Sequence, residues 1–372
     1  MTRGQLARAR RIVVKVGTSL LAPPAGGVHA RRFAELAGDI AALMKQDRRV
    51  VLVSSGAVGL GVRRLGLRTR PVAIPEKQAA AAVGQIDLCR RFERAFARHG
   101  VPVGQILLTH GGLAERELFL NARHTLHELL EQRIVPLINE NDSVATEELR
   151  FGDNDRLAAL VTNLCGAELL VLLTDIDGLH DRAPSEPGAQ RIAAVERVTS
   201  RTLALAGGSR SGVGTGGMLT KLEAARMAAR FGVPTLIADG RRRRVLRRLL
   251  DAEDLGTLVW PARLRLSSRK HWIAFSLKPR GALHLDQGAA RAVRQGGRSL
   301  LPIGIVAVEG QFGVGDPVRC LDPRGREVAR GLTSYTSKDL EIVKGQRSPR
   351  ISELLGYSNG DEVIHRDDLV ML

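Results

Sequence analysis

From Arg11 to about Trp260, short β-branched apolar runs alternate with longer Ala- and Leu-rich stretches of helical period. The spacing predicts strands over Ile12 to Val16, Val50 to Val53, Gln105 to Leu108, Ile134 to Ile138, Leu169 to Leu173 and Thr235 to Ile237. Helices are predicted over 31 to 45, 76 to 98, 115 to 132, 155 to 165 and 218 to 231, long enough to cross between parallel strands. This is an α/β pattern. Ligands of such sheets bind beyond the carboxyl ends of the strands, so the residues just after each strand carry the most information.

After Pro261 the texture changes. A connecting stretch runs to Arg280, and short apolar runs punctuated by Gly and Pro then replace the helical crossovers. Leu300 to Val308, Pro317 to Leu321 and Glu327 to Leu332 read as short strands joined by tight turns, as in a small β-barrel.

At 372 residues the chain exceeds what one core usually serves, so a large and a smaller domain are expected. Hydrophobic residues at 44% and charged residues at 26% exclude a disordered chain, and the 3% of aromatics suits helices on a parallel sheet. The net charge of +17 could draw nucleic acid or phosphorylated ligands. It is spread, however: from Arg263 onward 18 basic residues face 12 acidic ones, and the remainder sets 38 against 27. Neither part is a concentrated basic module, and the run Arg241 to Arg244 reads as a solvated face. Cys89, Cys165 and Cys320 are widely spaced in apolar company, which suits a reducing cytoplasm and offers no metal-ligand spacing. Lys15 interrupts the only stretch resembling a signal peptide, and no apolar run approaches the ~20 residues of a membrane span. A cytoplasmic protein with no membrane partner is expected.

The chemistry concentrates at strand ends. Lys15 lies in the apolar run RIVVKV, where an ammonium either snorkels to the sheet edge or meets an anionic ligand beside Gly17, Thr18 and Ser19. Ser54, Ser55 and Gly56 follow the second strand at a turn whose amides can bind an anion. Asn139, Glu140, Asn141 and Asp142 end the fourth, and Asp153, Asn154 and Asp155 open the next helix. Carboxylates and amides so placed can cap the helix, hold an ammonium group, position an acceptor or orient lysines. Thr174, Asp175 and Asp177 follow the fifth strand, where they form a polar turn or hold a nucleotide.

A glycine-rich segment then feeds a helix with Lys221 in its first turn. Gly212, Gly214 and Gly217 satisfy G-x-G-x-x-G, but no strand precedes them, and no G-x-x-x-x-G-K-[ST] occurs. What remains is free amides, a helix N-terminus and a lysine, which make either a phosphate site or a hinge. Two lysines, anion-binding turns and an acidic orienter suit phosphoryl transfer, where positioning and charge neutralisation do most of the catalysis.

The segments VVKVGTSLL, VSSGAVGLG, INENDSVAT, FGDNDRLAA, LLTDIDGL and GVGTGGMLTKL resemble, in order and spacing, motifs of the glutamate 5-kinases, a branch of the amino acid kinase family. The resemblance implies an open, mainly parallel α/β sandwich over 1–262, a connection over 263–281, a PUA domain over 282–360 and a terminal segment over 361–372. It also implies ATP-dependent phosphorylation of the L-glutamate side-chain carboxylate, with magnesium, as the first step of proline synthesis. Lys15 and Lys221 match the lysines on the transferring group, and Asp155 the aspartate that orients both. Ser55, Gly56, Asp142 and Asn154 match glutamate-binding positions. Lys15, Thr174, Asp175, Thr215, Gly216, Gly217, Met218 and Lys221 match ATP-binding ones. No protein-held metal site is implied. A homo-oligomer and proline feedback are; an RNA partner for the PUA domain is not inferred. A sister kinase for another carboxylate or a nucleotide would keep both lysines but change the acceptor pocket.

Overall fold

The computed structural model describes residues 3–22, 28–144, 154–206, 217–261, 270, 273, 277–295 and 298–372. They form two compact units, Met1–Gly112 with Arg116–Arg265, and Leu113–Glu115 with Leu266–Leu372.

In the first unit the chain runs β1 (Arg11–Val16), α1 (Thr18–Leu21), α2 (Ala30–Lys45), β2 (Arg49–Ser54), α3 (Ala57–Arg64), α4 (Ile74–Ala97), β3 (Val103–Leu108), α5 (His110–Ala114), α6 (Arg116–Glu131) and β4 (Val135–Glu140). It continues through α7 (Asn154–Leu164), β5 (Leu169–Thr174), β6 (Ala194–Val195), α8 (Ser200–Ala206), α9 (Met218–Arg230), β7 (Thr235–Asp239), α10 (Val245–Leu250) and β8 (Thr257–Val259). The eight strands order as β3-β4-β2-β1-β5-β7-β8-β6. Pairing is parallel except between β7 and β8. β1 therefore sits mid-sheet, with Lys15 opposite Val53 on one side and Leu172 on the other. β5, which flanks β1, and β4, on the far side of β2, are buried at every position, as their unbroken apolar runs require.

The six expected strands and five long helices are all present, within a few residues at their ends. Ile134 is the clearest shift: Arg133 turns with φ 58 and the Ile134 amide still donates to Leu129 O, so β4 starts one residue later. β6 and β8 were not legible, because two or three residues carry no period to detect.

Two glycines set how closely α3 and α4 cross. A Cβ on Gly61 would stand 1.7 Å from Ala80 O, and one on Gly84 1.8 Å from Ala57 O, so neither position has room for a side chain. Gly84→Ala should destabilise the fold by about 1–3 kcal/mol as the helices are forced apart. Chemical denaturation measures this, and an unchanged midpoint would show that the crossing has slack.

The second unit holds β9 (Gly281–Leu285), α11 (Gln287–Gln295), β10 (Ile305–Gly310), β11 (Pro317–Leu321), β12 (Glu327–Leu332), α12 (Ser337–Val343), α13 (Ile351–Leu355) and β13 (Leu369–Met371). The sheet order is β10-β9-β11-β12-β13, and the bridge between Leu300 and Ile364 links the segments preceding the two edge strands. Residues 300 to 304 depart from the expected strand, because Pro302 opens a 3-10 turn and β10 begins only at Ile305. Short helices also return here, against the expectation that they disappear. α11 was hidden by its brevity and its glycine, whereas α12 announces itself with a Thr336/Asp339 capping box. Leu283, Val318, Tyr335, Leu340 and Ile364 build this unit's own core.

Candidate active site

Three charged side chains from distant parts of the first unit meet at the carboxyl ends of the central strands. Asp155, the second residue of α7, is fully buried. The Lys15 ammonium from β1 lies 2.7 Å from its Oδ1, and that of Lys221, in the first turn of α9, lies 3.0 Å from its Oδ2. Both lysines are buried, at 5% and 4% exposure. Thr220 adds a hydroxyl donor to Asp155 Oδ2 at 3.0 Å. Burial pushes the Asp155 carboxyl up, but the two ammonium groups outweigh it and hold the group well below the usual carboxylate range. Two cations on one carboxylate leave a surplus positive charge in a site of low exposure. Such a site is completed by an anion.

Next to this trio, Asn154 faces the other way. Its amide lies 2.9 Å from Ser54 O, 2.9 Å from Ser55 Oγ and 2.7 Å from Asn139 Oδ1, tying the ends of β2 and β4 to the start of α7. Asn139 in turn donates to Gln85 Oε1 at 2.8 Å, and Gln85 to Cys89 Sγ at 3.4 Å. Gly56 caps α3 with φ 112, a left-handed backbone that glycine adopts without a Cβ penalty. Asp142 lies half-buried in the turn that follows β4.

The strand beside β1 supplies a separate group. Thr174 ends β5, donates to Asp175 Oδ1 at 3.1 Å and accepts the Gly240 amide at 2.8 Å. Asp175 is exposed. Gly217 precedes α9 in an extended conformation, and no side chain among the described residues caps the first turn of that helix, whose amides point outward; Met218 behind it is buried. Thr215 and Gly216 lie outside the described residues, as do Asp153, Gly212 and Gly214.

The structure thus brings Lys15, Asp155 and Lys221 into one cluster, and Ser55 and Asn154 into a second joined to it by adjacent residues of one helix. Sequence reasoning missed Gln85 and Thr220. Gln85 had a readable signal, since it is a polar residue on the face of α4 that buries Ala81, Gly84 and Leu88. Thr220 had none, because a threonine next to a helical lysine is unremarkable until the fold aims it.

Residues 10–239 match the model described as the Amino acid kinase family, and residues 281–355 that of the PUA domain. The chain is 50% identical to "Glutamate 5-kinase" of Syntrophotalea carbinolica over 100% of both chains. It is 49% identical to "Glutamate 5-kinase" of Methylococcus capsulatus over 100% of this chain and 99% of that one. The protein of the same description from Chromohalobacter salexigens is 50% identical, over 100% and 98%.

Proposed function

Since the chain belongs to the amino acid kinase family, we propose that it transfers the γ-phosphoryl group of ATP to the side-chain carboxylate of L-glutamate, giving L-glutamyl 5-phosphate for proline biosynthesis. The observation that carries this reading is the meeting of Lys15 and Lys221 on the buried Asp155 carboxylate. The two ammonium groups lie on different oxygens of that carboxylate, side by side for a common phosphoryl group. As the phosphoryl group moves, its charge spreads over three oxygens, and two fixed cations in a dry site stabilise that charge without reorganising. Asp155 is a positioning residue: it holds the amines in place and lowers the cost of burying them. The attacking carboxylate is ionised at neutral pH, with a pKa of about 4.3, so no general base is needed.

Glutamate is placed by Ser55, Gly56, Asn154 and Asp142. Asp142 supplies the negative charge suited to the α-ammonium group, and Asn154 and Ser55 supply polar atoms beside the trio. ATP is placed with its phosphates at the free amides of α9, from Gly217 and Met218 onward, and with Thr174 and Asp175 at the adjoining strand end. Thr215 and Gly216 join this set on their sequence alone.

Magnesium fits as an ion delivered by the nucleotide. Both oxygens of Asp155 face ammonium groups, and among the described residues no three His, Cys, Asp or Glu side chains gather into a cage. An ion held largely by phosphate oxygens and water requires none. When bound it would neutralise charge on the β- and γ-phosphates. Proline feedback and a homo-oligomer belong to the same proposal, as does a cytoplasmic setting, which the free thiols of Cys89, Cys165 and Cys320 support. Among the described residues no helix is long and apolar enough to cross a membrane.

The direct test is ADP release that depends on glutamate, with hydroxylamine trapping the acyl phosphate. Robust turnover of uridylate without glutamate would overturn the assignment. Asp142→Ala should raise the KM for glutamate by about tenfold or more while moving the KM for ATP far less, as loss of one charged contact predicts. Equal shifts in both constants would remove Asp142 from the acceptor pocket.

A further inference from the structure

The arginine run Arg241 to Arg244 is solvent-exposed, as expected of a solvated face, and two of its members also line a cavity. Ser19, His29, Arg31, Arg32, Arg241 and Arg243 line a cavity of about 420 Å³, within the range of small-molecule sites. Its walls are tied together: Arg32 Nη1 donates to Arg241 O at 2.7 Å, joining the start of α2 to the segment after β7.

The charges do not cancel. Glu35 is shared by Arg31 and Arg32, each at 2.8 Å, and Asp239 takes both Nε and Nη2 of Arg241, at 2.9 and 3.0 Å. Four guanidinium groups therefore meet two carboxylates in direct contact, Asp175 and Asp177 act on Arg241 from further away, and Arg243 has no ion pair among the described residues. Guanidinium forks match phosphate oxygens in pairs, and several forks around one cavity suit a ligand with more than one phosphate. Neither Lys15, Asp155 nor Lys221 lines the cavity, although Asp175 and Asp177 act electrostatically on Arg241 and so place it near the same strand ends.

We propose that this cavity is a second anion site, which takes a ligand bearing two or more phosphate groups. The inference goes beyond the kinase reading and does not depend on it. Its test is calorimetric titration of inorganic pyrophosphate into the full chain already saturated with magnesium and a non-hydrolysable ATP analogue. Binding at one site should persist, and Arg31→Ala combined with Arg243→Ala should weaken it by about tenfold or more. Turnover without pyrophosphate should stay within about twofold, because both residues are exposed and neither bonds to Lys15, Asp155 or Lys221 among the described contacts. Should the double variant fold poorly, Arg243→Glu gives the same reading without breaking an ion pair. Loss of pyrophosphate binding once the analogue is present would assign the anion to the nucleotide's own phosphates and overturn the proposal. Undiminished affinity in the variants would do so as well. A chain without kinase turnover would sink the preceding proposal and leave this titration readable.

Discussion

Lys221→Ala should lower kcat by about 10²–10³-fold, the usual consequence of removing one preorganised donor from developing charge. The fold should survive. Asp155 keeps Lys15 as a partner at 2.7 Å, so the buried charges that remain are one cation and one anion. The KM for glutamate should move little if the proposed placement holds, because Lys221 bonds Asp155 while Asn154 faces the Ser55 turn proposed for the acceptor. Steady-state kinetics beside a denaturation curve separate the two effects. Near-normal turnover would remove Lys221 from the transferring group, and collapse of the fold would make it a structural residue.

Asp155→Ala should behave in the opposite way, with a loss of about 3–5 kcal/mol in stability, because two buried ammonium groups then lose the carboxylate they share. The pH dependence gives an independent signature. The folded Asp155 carboxyl titrates below its unfolded value, so its stabilisation is complete above about pH 4 and is lost as pH falls toward the depressed value. The difference between wild type and variant should therefore be full at neutral pH and shrink in strong acid. Pyrophosphate or ATP should restore part of the variant's midpoint by supplying the missing negative charge. A variant as stable as wild type at pH 7 would show that the lysines find other counter-charges.

Much of this architecture is legible in the sequence because buried parallel strands write themselves as unbroken apolar runs, and Leu169 to Thr174 shows no exposed position at all. Lys15 stands out for the same reason, as a cation where the pattern demands an aliphatic residue. Its partner was harder to read. Asp155 lies 140 positions away, in a cluster where Asp153 and Asn154 look equally suited to capping, and the family resemblance rather than the spacing singled it out. Gln85 and Thr220 depend on which way a helix faces after packing, which one dimension does not record. The smaller unit was read least well, since Pro302 and a nine-residue helix leave only local traces.

One peptide unit separates Asn154, tied to the Ser55 turn, from Asp155, tied to the two lysines; in the proposed reaction these are the acceptor and donor sides. On that reading the gap between acceptor and donor is gauged by the opening turn of α7, whose first two residues are both buried. A lesion that tilts this turn would leave each reactant bound yet misaligned along the line of attack. Catalytic failure of that kind would appear as slow chemistry at full occupancy, and raising either concentration would not cure it.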